Sequence, residues 1–493
     1  MQTLQPATRR SRASLLAAAS GVLYALAMPP FAAWPLAFGC LAPLLLALRG
    51  RGLLARIAYG ALAGAVAGWG TSLVPTAVGL SGFFDRPLAF GVVAAVAING
   101  AVGGAAFALF AALAGDPARG RAALAPWRIG AAFAACEFAR SQWFSGLPWL
   151  LLAHALAPVP ALAQPAAWIG VVGVGSLLAV ASAALALLPQ RGTRRTACVC
   201  LALVSLAFAS VDQLAPAIAP GDPGSIALAG PGDAPRPGAL RIALVQPGAT
   251  DASQRDLAHV ASQLERLIAV TRGALPADLV VWPENAVAVA LPANASRVRE
   301  AIAQLAPRPA LLFGAPTYDA ASPTRVFNAA LLWDANGIEV GRYDKTRLLP
   351  FTEFVPRVFA ALGVRGGHTA AGASMAPLSW RETKLGVLIC YEMLFPDLAR
   401  ALVRQGAGVL VNPSNDAWFA NTAGPEQMAA AAVLGAIAVR RPLLRATPTG
   451  ITVAIDARGR VVAQLERGAP GALLVDVWPG APERAVVTHR DPD

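Results

Sequence analysis

Long apolar runs fill the first 212 residues, and they constrain the fold more than any other feature of the sequence. A transmembrane helix needs about 20 predominantly apolar residues, with about 17 as a lower limit. Charged residues make up 14% of the whole chain, against roughly 25% in soluble globular proteins. We therefore predict a multi-span α-helical membrane domain over residues 1–212. The candidate spans, about seven in number, are 13–29, 31–48, 57–79, 88–114, 128–150, 164–188 and 196–212.

The arginines of this half indicate its topology. Residues 1–212 contain 14 Arg and 4 acidic residues. If the N-terminus is cytoplasmic, 12 of those 14 arginines fall in the cytoplasmic N-terminal tail and in the cytoplasmic segments 49–56, 115–128 and 189–195, as the positive-inside rule requires. The net charge of +12 therefore reflects membrane topology, and we expect no nucleic-acid partner. Seven spans place the rest of the chain outside the cytoplasm.

Two charged residues fall inside the fifth predicted span. Glu137 and Arg140 lie three positions apart in an otherwise apolar stretch. Charge in lipid is costly and is usually paired. We interpret the two residues as a structural ion pair between helices; contact with a lipid headgroup is the alternative.

The second half of the chain has a different pattern of apolar residues. Residues 213–238 are rich in Pro, Gly and Ala and are interpreted as a linker. Short apolar runs then alternate with helical patterns, which predicts a layered α/β domain over 239–480, followed by a tail at 481–493. Asp334-Ala335-Asn336-Gly337 predicts a hairpin turn. The predicted strands are Leu240–Val245, Leu279–Trp282, Ala310–Phe313, Phe327–Trp333, Ile338–Tyr343, Leu385–Ile389 and Gly408–Val411.

Lysine is the rarest basic residue and the most informative one. Of 40 basic residues only Lys345 and Lys384 are lysine. A compact, orientable ammonium has uses that a planar guanidinium does not have. Lys345 directly follows a predicted strand, which favours a functional role. For Lys384 a solvent-facing position is the simpler interpretation.

Two further reactive side chains lie at predicted strand ends. Cys390 lies between a strand and a helix, where amide dipoles are expected to lower the pKa of its thiol. Glu284 ends another strand. Each residue alone is more often structural, a buried cysteine or a capping carboxylate. Together with Lys345 they form a set for nucleophilic catalysis: Glu284 as general base, Cys390 as nucleophile and Lys345 as oxyanion stabiliser.

The remaining cysteines and histidines indicate neither a metal nor a histidine-activated thiol. The sequence has no CxxC pair and no Cys/His cluster, so we expect no metal and no cofactor. His259, His368 and His489 lie outside the motifs described above, which argues against a Cys–His pair.

The motifs around the three residues resemble the nitrilase (carbon–nitrogen hydrolase) superfamily. They are WPEN at Glu284, Asp344-Lys345 and LICYE at Cys390. Fused behind a multi-span membrane domain, they resemble the apolipoprotein N-acyltransferase family. The resemblance implies an α-β-β-α sandwich and a cofactor-free, ping-pong acyl transfer from a phospholipid donor to a diacylated apolipoprotein. It also implies a bacterial cytoplasmic (inner) membrane location, with the catalytic domain on the periplasmic face and in contact with membrane lipid.

The resemblance assigns roles to five further residues. Glu353, in the segment 348–356, matches a glutamate that orients the lysine and assists proton traffic. Tyr391 and Glu392 match residues beside the nucleophile. Trp418 and Phe419 match aromatic residues near the acyl pocket.

Three features depart from the family pattern, and they bear on apolipoprotein docking more than on the reactive set. The last residues, 485–493, are not apolar, whereas members usually carry one more helix there. The loop 247–256 lacks a Trp, and Pro448 replaces a usual Asn. The runner-up is therefore a membrane-tethered nitrilase-type amidohydrolase, or a paralogue that acylates a different amine. A non-catalytic assembly protein is disfavoured by the complete reactive set, and a transporter by the scarcity of intramembrane charge.

Overall fold

The chain folds into a helical membrane domain followed by a two-sheet domain. The computed structural model describes residues 6–117, 124–142, 146–214, 218–248, 257–291, 295–319, 322–355, 361, 367 and 369–481. The helices of the first half are α1 (Pro6–Ala27), α2 (Ala42–Leu48), α3 (Leu53–Phe83), α4 (Leu88–Ala114), α5 (Ala125–Gln142), α6 (Pro160–Ala163), α7 (Ala166–Leu187) and α8 (Arg194–Leu214).

Three of these helices are long and apolar enough to cross a membrane by length and composition. Within the described part of the chain they are α3, α4 and α7. They coincide with the third, fourth and sixth predicted spans. The total of about seven spans stays a prediction.

The second predicted span, 31–48, is not one helix. It consists of a 3-10 helix, Trp34–Phe38, and the seven-residue α2. At a rise of about 1.5 Å per residue, α2 alone is far shorter than a bilayer core of about 30 Å. Leu44, Leu45 and Leu48 are fully buried, so this broken segment packs against protein rather than lipid, as non-helical backbone at membrane depth must.

Glycines allow α3 and α4 to touch backbone to backbone. A Cβ placed on Gly64 would lie 2.0 Å from the carbonyl oxygen of Gly103, and one on Gly103 would lie 2.3 Å from that of Gly64. Gly60 and Gly68 lie one turn to either side on α3. A Cβ placed on either one would lie 2.4 Å from a carbonyl oxygen of α4. Small residues at such positions are the usual means of close helix packing in membranes.

The second half forms two sheets. The larger has the order β1-β14-β2-β3-β4-β5-β6, with β7 beside β5, and the smaller has the order β13-β12-β11-β10-β9-β8. Its helices are α9 (Leu257–Arg272), α10 (Ala295–Ile302), α11 (Pro396–Arg404) and α12 (Gly424–Val439). The strands are β1 (Ile226–Leu228), β2 (Leu240–Gln246), β3 (Leu279–Val281), β4 (Ala310–Asp319), β5 (Ser322–Trp333), β6 (Glu339–Asp344), β7 (Thr369–Ala370), β8 (Leu378–Trp380), β9 (Thr383–Val387), β10 (Val409–Pro413), β11 (Leu443–Ala446), β12 (Val453–Ile455), β13 (Val461–Gln464) and β14 (Gly471–Val477).

The sheets and helices stack as an α-β-β-α sandwich. Alternate residues of β2 and β3 pack against those of β9 and β10 to form the core between the sheets. The other face of the larger sheet packs against α9 and α10. The outer face of the smaller sheet packs against α11 and α12, and this cluster continues without a break into the membrane helices. The expected α-β-β-α arrangement is confirmed, and the predicted strands and the 334–337 hairpin are present.

The linker predicted over 213–238 is shorter than expected. Ile226–Leu228 forms β1 and pairs antiparallel with β14, with Ile226 opposite Val477. The amide of Gly224 also donates to the carbonyl of Trp478 at 2.8 Å. A three-residue strand carries no periodicity, so the sequence pattern misses it, and the pairing with β14 decides its structure. Residues 482–493, most of the predicted tail, lie outside the described residues.

Gly64→Ala tests the backbone contact between α3 and α4. The added methyl meets a carbonyl at 2.0 Å, so the helices must separate, and we expect destabilisation by about 1–3 kcal/mol. Gly82→Ala, on the same helix with nothing within 4 Å, is the matched control. Thermal unfolding in detergent measures both; equal stability of the two variants would contradict the close contact.

Candidate active site

The three reactive side chains predicted from the sequence meet at one edge of the sandwich. Glu284 follows β3, Lys345 follows β6 and Cys390 follows β9. Glu284 is 6% exposed and Lys345 is 2% exposed. Cys390 is partly buried, and both charges act electrostatically on its thiol, so the structure brings the three residues into one cluster.

A close backbone approach positions Glu284. The loop after β3 lies on β4 at Gly314, where a Cβ would come within 2.6 Å of the Glu284 Cα. The Gly314 amide donates to the Pro283 carbonyl at 3.1 Å. A larger residue at Gly314 would displace the carboxylate.

The ammonium of Lys345 is held between two carboxylates. Its Nζ donates to Glu353 Oε1 at 2.8 Å and to Glu284 Oε1 at 3.3 Å. Burial lowers the pKa of Lys345, but the negative charges of Glu284 and Glu353 outweigh this effect and raise the pKa well above its ordinary value. Lys345 therefore stays a cation in a buried site. Glu353 Oε2 accepts from the Leu349 amide at 2.7 Å, which fixes the second carboxylate.

Asn328 is a site residue that the sequence analysis missed. Its Nδ2 donates to Glu284 Oε1 at 2.7 Å and to Glu353 Oε1 at 3.0 Å. It therefore joins the same two carboxylates as Lys345 does and holds them at a fixed separation. The available signal was a single amide side chain in the apolar strand β5.

Cys390 has an unusual backbone and a neutral thiol. Its φ is +51°, in the left-handed region that non-glycine residues seldom adopt. The pKa of the thiol is raised to about 12: burial, and to a smaller extent the charge of Glu284, raise it, whereas Lys345 and a hydrogen bond with Ser414 lower it. The expected lowering by amide dipoles is wrong because burial dominates. Cys390 itself begins the segment Cys390–Leu394, which forms only a short 3-10 helix.

Glu392 braces the two loops that carry Lys345 and Cys390. Its Oε1 accepts from the Tyr343 hydroxyl, the Thr346 amide and hydroxyl, and the Arg347 amide at 2.7–3.0 Å. Its Oε2 accepts from the Ile389 amide at 2.9 Å. Burial raises the pKa of Glu392, and these donors oppose the rise. The residue supports the site and does not face the thiol as a free base.

A buried polar network supports the other side of Cys390. Asn412 Nδ2 donates to the Cys390 carbonyl at 3.3 Å, and Arg445 donates to Asn412 Oδ1. Arg445 also binds Asp416, whose Oδ1 accepts from the Ser414 hydroxyl at 3.0 Å. These residues come from β10, β11 and the turn after β10, and they fix the carbonyl of Cys390.

The remaining predicted residues face the membrane domain. The Tyr391 hydroxyl donates to the Gly146 carbonyl at 2.6 Å. The Trp418 ring lies 5.6 Å from that of Phe83 at the end of α3, and the Phe419 ring lies 5.6 Å from that of Trp149. Trp418 and Phe419, together with Phe83 and Trp149, thus form an aromatic wall where the two domains meet.

A separate cavity lies away from this cluster. It has a volume of about 470 Å³ and is lined by residues that include Asp278, Arg308 and Arg381. Asp278 precedes β3, whereas Glu284 follows it, so this cavity is at the opposite edge of the sheets. No cluster of three metal-binding side chains occurs among the described residues.

Family models match both halves of the chain. The carbon-nitrogen hydrolase model matches residues 241–481, and the model of the apolipoprotein N-acyltransferase N-terminal domain matches residues 20–185. Among solved structures, Nit3 of Saccharomyces cerevisiae, a nitrilase superfamily member, is 19% identical over 49% of this chain and 90% of its own, with a TM-score of 0.39. The amidase of Nesterenkonia sp. AN1 is 22% identical over 50% of this chain and 93% of its own, with a TM-score of 0.38.

Full-length relatives are more similar. The apolipoprotein N-acyltransferase of Caulobacter vibrioides is 34% identical, over 93% of this chain and 86% of its own. The apolipoprotein N-acyltransferase of Agrobacterium fabrum is 32% identical, over 73% of this chain and 69% of its own. The fold and the matches define a membrane-anchored protein of the carbon-nitrogen hydrolase class. The chain belongs to the apolipoprotein N-acyltransferase family.

The pH dependence of Cys390 alkylation tests the electrostatics of the cluster. In Glu284→Gln the negative charge beside the thiol is removed, so the pKa of Cys390 falls and iodoacetamide labelling begins at lower pH than in the wild type. Labelling is followed on the Cys390 peptide by mass spectrometry. Glu339→Gln, at an exposed position, is the control. An unchanged profile in Glu284→Gln would contradict the proximity of the two groups.

Proposed function

We propose that this protein transfers an acyl chain from a phospholipid to the α-amino group of the diacylglyceryl-cysteine at the N-terminus of apolipoproteins. The observation that carries the proposal is the cluster of buried Glu284 and Lys345 with partly buried Cys390, in a domain whose Trp418 and Phe419 rings contact aromatic residues of the membrane domain. Membership of the apolipoprotein N-acyltransferase family supports the acyltransferase class. The thioester route, the phospholipid donor and the residue roles are our proposal.

In the first half-reaction Glu284 takes the proton of the Cys390 thiol as the sulfur attacks the ester carbonyl carbon. A resting thiol with a raised pKa requires such a base at the moment of attack. The carbonyl oxygen becomes an oxyanion, which the Lys345 ammonium stabilises. The carbon–oxygen ester bond then breaks, and the proton returns from Glu284 to the leaving oxygen. The products are the Cys390 thioester and a lysophospholipid.

In the second half-reaction the amine replaces the phospholipid. The neutral α-amino nitrogen attacks the thioester carbon and gives up a proton to Glu284. Lys345 again stabilises the oxyanion. The carbon–sulfur bond breaks, the proton returns to Cys390, and an amide is released. Water must be kept out while the thioester waits for the amine, and the low exposure of Glu284 and Lys345 supports this requirement.

The supporting residues keep the charges in place. Glu353 and Asn328 hold Lys345 and Glu284 together through the hydrogen bonds described above. A positioned ammonium stabilises an oxyanion without reorganisation during the reaction. Tyr391 and Glu392 anchor the turn of the nucleophile, and Trp418 and Phe419 form the wall against which the acyl chain packs.

The proposed location is the bacterial inner membrane, with several spans and the catalytic domain on the periplasmic side. Arg49, on the arginine-rich side of the membrane domain, donates to the Ala186 carbonyl near the end of α7. The catalytic domain contacts the opposite end, where Gln164 bonds to the Arg458 carbonyl at 2.9 Å. This polarity supports a cytoplasmic arginine-rich end and an outer catalytic domain. Both substrates are lipids and reach the site from the membrane.

Mass spectrometry of the protein after incubation with phospholipid tests the proposal. We expect an acyl mass on the Cys390 peptide that hydroxylamine removes, and its absence in Cys390→Ser. In Glu284→Gln the rate of adduct formation should fall by a factor of about 10²–10⁴, the usual contribution of a general base.

A peptide with a diacylglyceryl-cysteine N-terminus should then discharge the adduct as an amide. No adduct from several phospholipids, with folded protein, would overturn the phospholipid donor and favour an amidohydrolase. Discharge by other amines but not by this peptide would indicate a paralogue that acylates a different amine.

A further inference from the structure

A short segment of the membrane domain contacts the turn that carries the nucleophile. Residues 146–152 lie between α5 and the 3-10 helix Leu152–Leu156. This 146–152 segment is not helical at its start, and Gly146 and Leu150 have φ values of +103° and +52°. Its backbone groups therefore need partners outside a helix.

Two charged side chains of α5 supply those partners. Glu137 Oε1 accepts from the Leu152 amide at 2.6 Å. Arg140 Nη1 and Nη2 donate to the carbonyls of Trp149 and Leu150 at 2.9 and 3.3 Å. In the described residues, Glu137 and Arg140 form no ion pair with each other within 4.0 Å; each binds the backbone of the 146–152 segment instead. The expected ion pair between helices is therefore wrong.

The other side of the same segment binds the catalytic domain. The Gly146 carbonyl accepts from the Tyr391 hydroxyl at 2.6 Å, and Tyr391 directly follows the nucleophile. Trp149 Nε1 donates to Gln427 Oε1 at 2.8 Å on α12. The segment thus lies between the α5 charges and the turn of Cys390.

We propose that Glu137 and Arg140 are positioning residues for Cys390. They fix the 146–152 segment, which fixes the Tyr391 hydroxyl and with it the left-handed turn at Cys390. A residue in that region of φ and ψ persists only when its surroundings hold it there. Charge placed within membrane helices is costly, and here both charges are used to fix non-helical backbone. For its effect on acyl transfer, the inference rests on the function proposed above.

The test measures the rate of Cys390 alkylation by iodoacetamide, on the Cys390 peptide, in the full-length protein in detergent. Glu137→Leu and Arg140→Met should each slow alkylation by at least about tenfold, since small displacements of a reacting atom have large effects on rate. Glu137→Gln keeps an acceptor for the Leu152 amide and should stay within about twofold of the wild type. Initial phospholipid acylation should follow the same order.

A double-variant comparison separates positioning from general loss of stability. Tyr391→Phe removes the hydroxyl bond to Gly146. If Arg140 acts through that bond, the Arg140→Met/Tyr391→Phe protein should be no slower than the slower single variant. The proposal would be overturned if the rate losses of the two single variants multiplied in the double variant. It would also be overturned if folded Glu137→Leu were alkylated at the wild-type rate. If Arg140→Met does not fold, Arg140→Lys replaces it in the same comparison, because lysine keeps the charge but has one nitrogen in place of the two that bind the Trp149 and Leu150 carbonyls.

Ser182→Ala is the matched control. Ser182 is buried on α7 and its hydroxyl donates to the Phe38 carbonyl at 3.1 Å, away from the 146–152 segment. Its loss should lower thermal stability without slowing alkylation. Because iodoacetamide needs no acyl donor, alkylation decides this inference even if no phospholipid acylates Cys390, an outcome that would count against the proposed function alone.

Discussion

The ammonium of Lys345 between Glu284 and Glu353 is the interaction on which the rest of the candidate active site depends. A buried cation without partners would lose its proton or unfold its surroundings. Two carboxylates keep it charged, but they repel each other, and the Asn328 amide donates to the same two carboxylate oxygens as the ammonium does. The strand ends, the loop of Glu353 and the glycine contact at Gly314 all serve to bring these groups together.

The helical layer over the smaller sheet belongs to both domains. In a soluble sandwich of this kind such a layer would face water, whereas here α12 packs against the sheet on one side and against membrane helices on the other. Gln427 illustrates the consequence: it lies on α12 and its Nε2 donates to the carbonyls of Thr71 and Pro29 at 2.7 and 3.3 Å. The catalytic domain is therefore fixed to the membrane domain over a broad, partly polar surface.

Sequence patterns predicted the strands that form because of residues close together in the sequence. Apolar runs ending in polar residues located β3, β6 and β9, and with them Glu284, Lys345 and Cys390. Features that depend on contacts between residues far apart in the sequence were either missed or predicted wrongly. Asn328 acquires its role from two carboxylates that are far away in sequence, and β1 exists only because β14 offers an edge. The pKa of Cys390 depends on how deeply the completed fold buries it, which a strand-to-helix motif does not reveal.

The glycine contact between α3 and α4 has a mechanical consequence. The two backbones touch along several turns. Neither helix can therefore slide or bend unless the other moves with it, so α3 and α4 move as one rigid unit. Phe83, at the end of α3, contacts Trp418. A displacement of Phe83 away from Trp418 must therefore move both helices together.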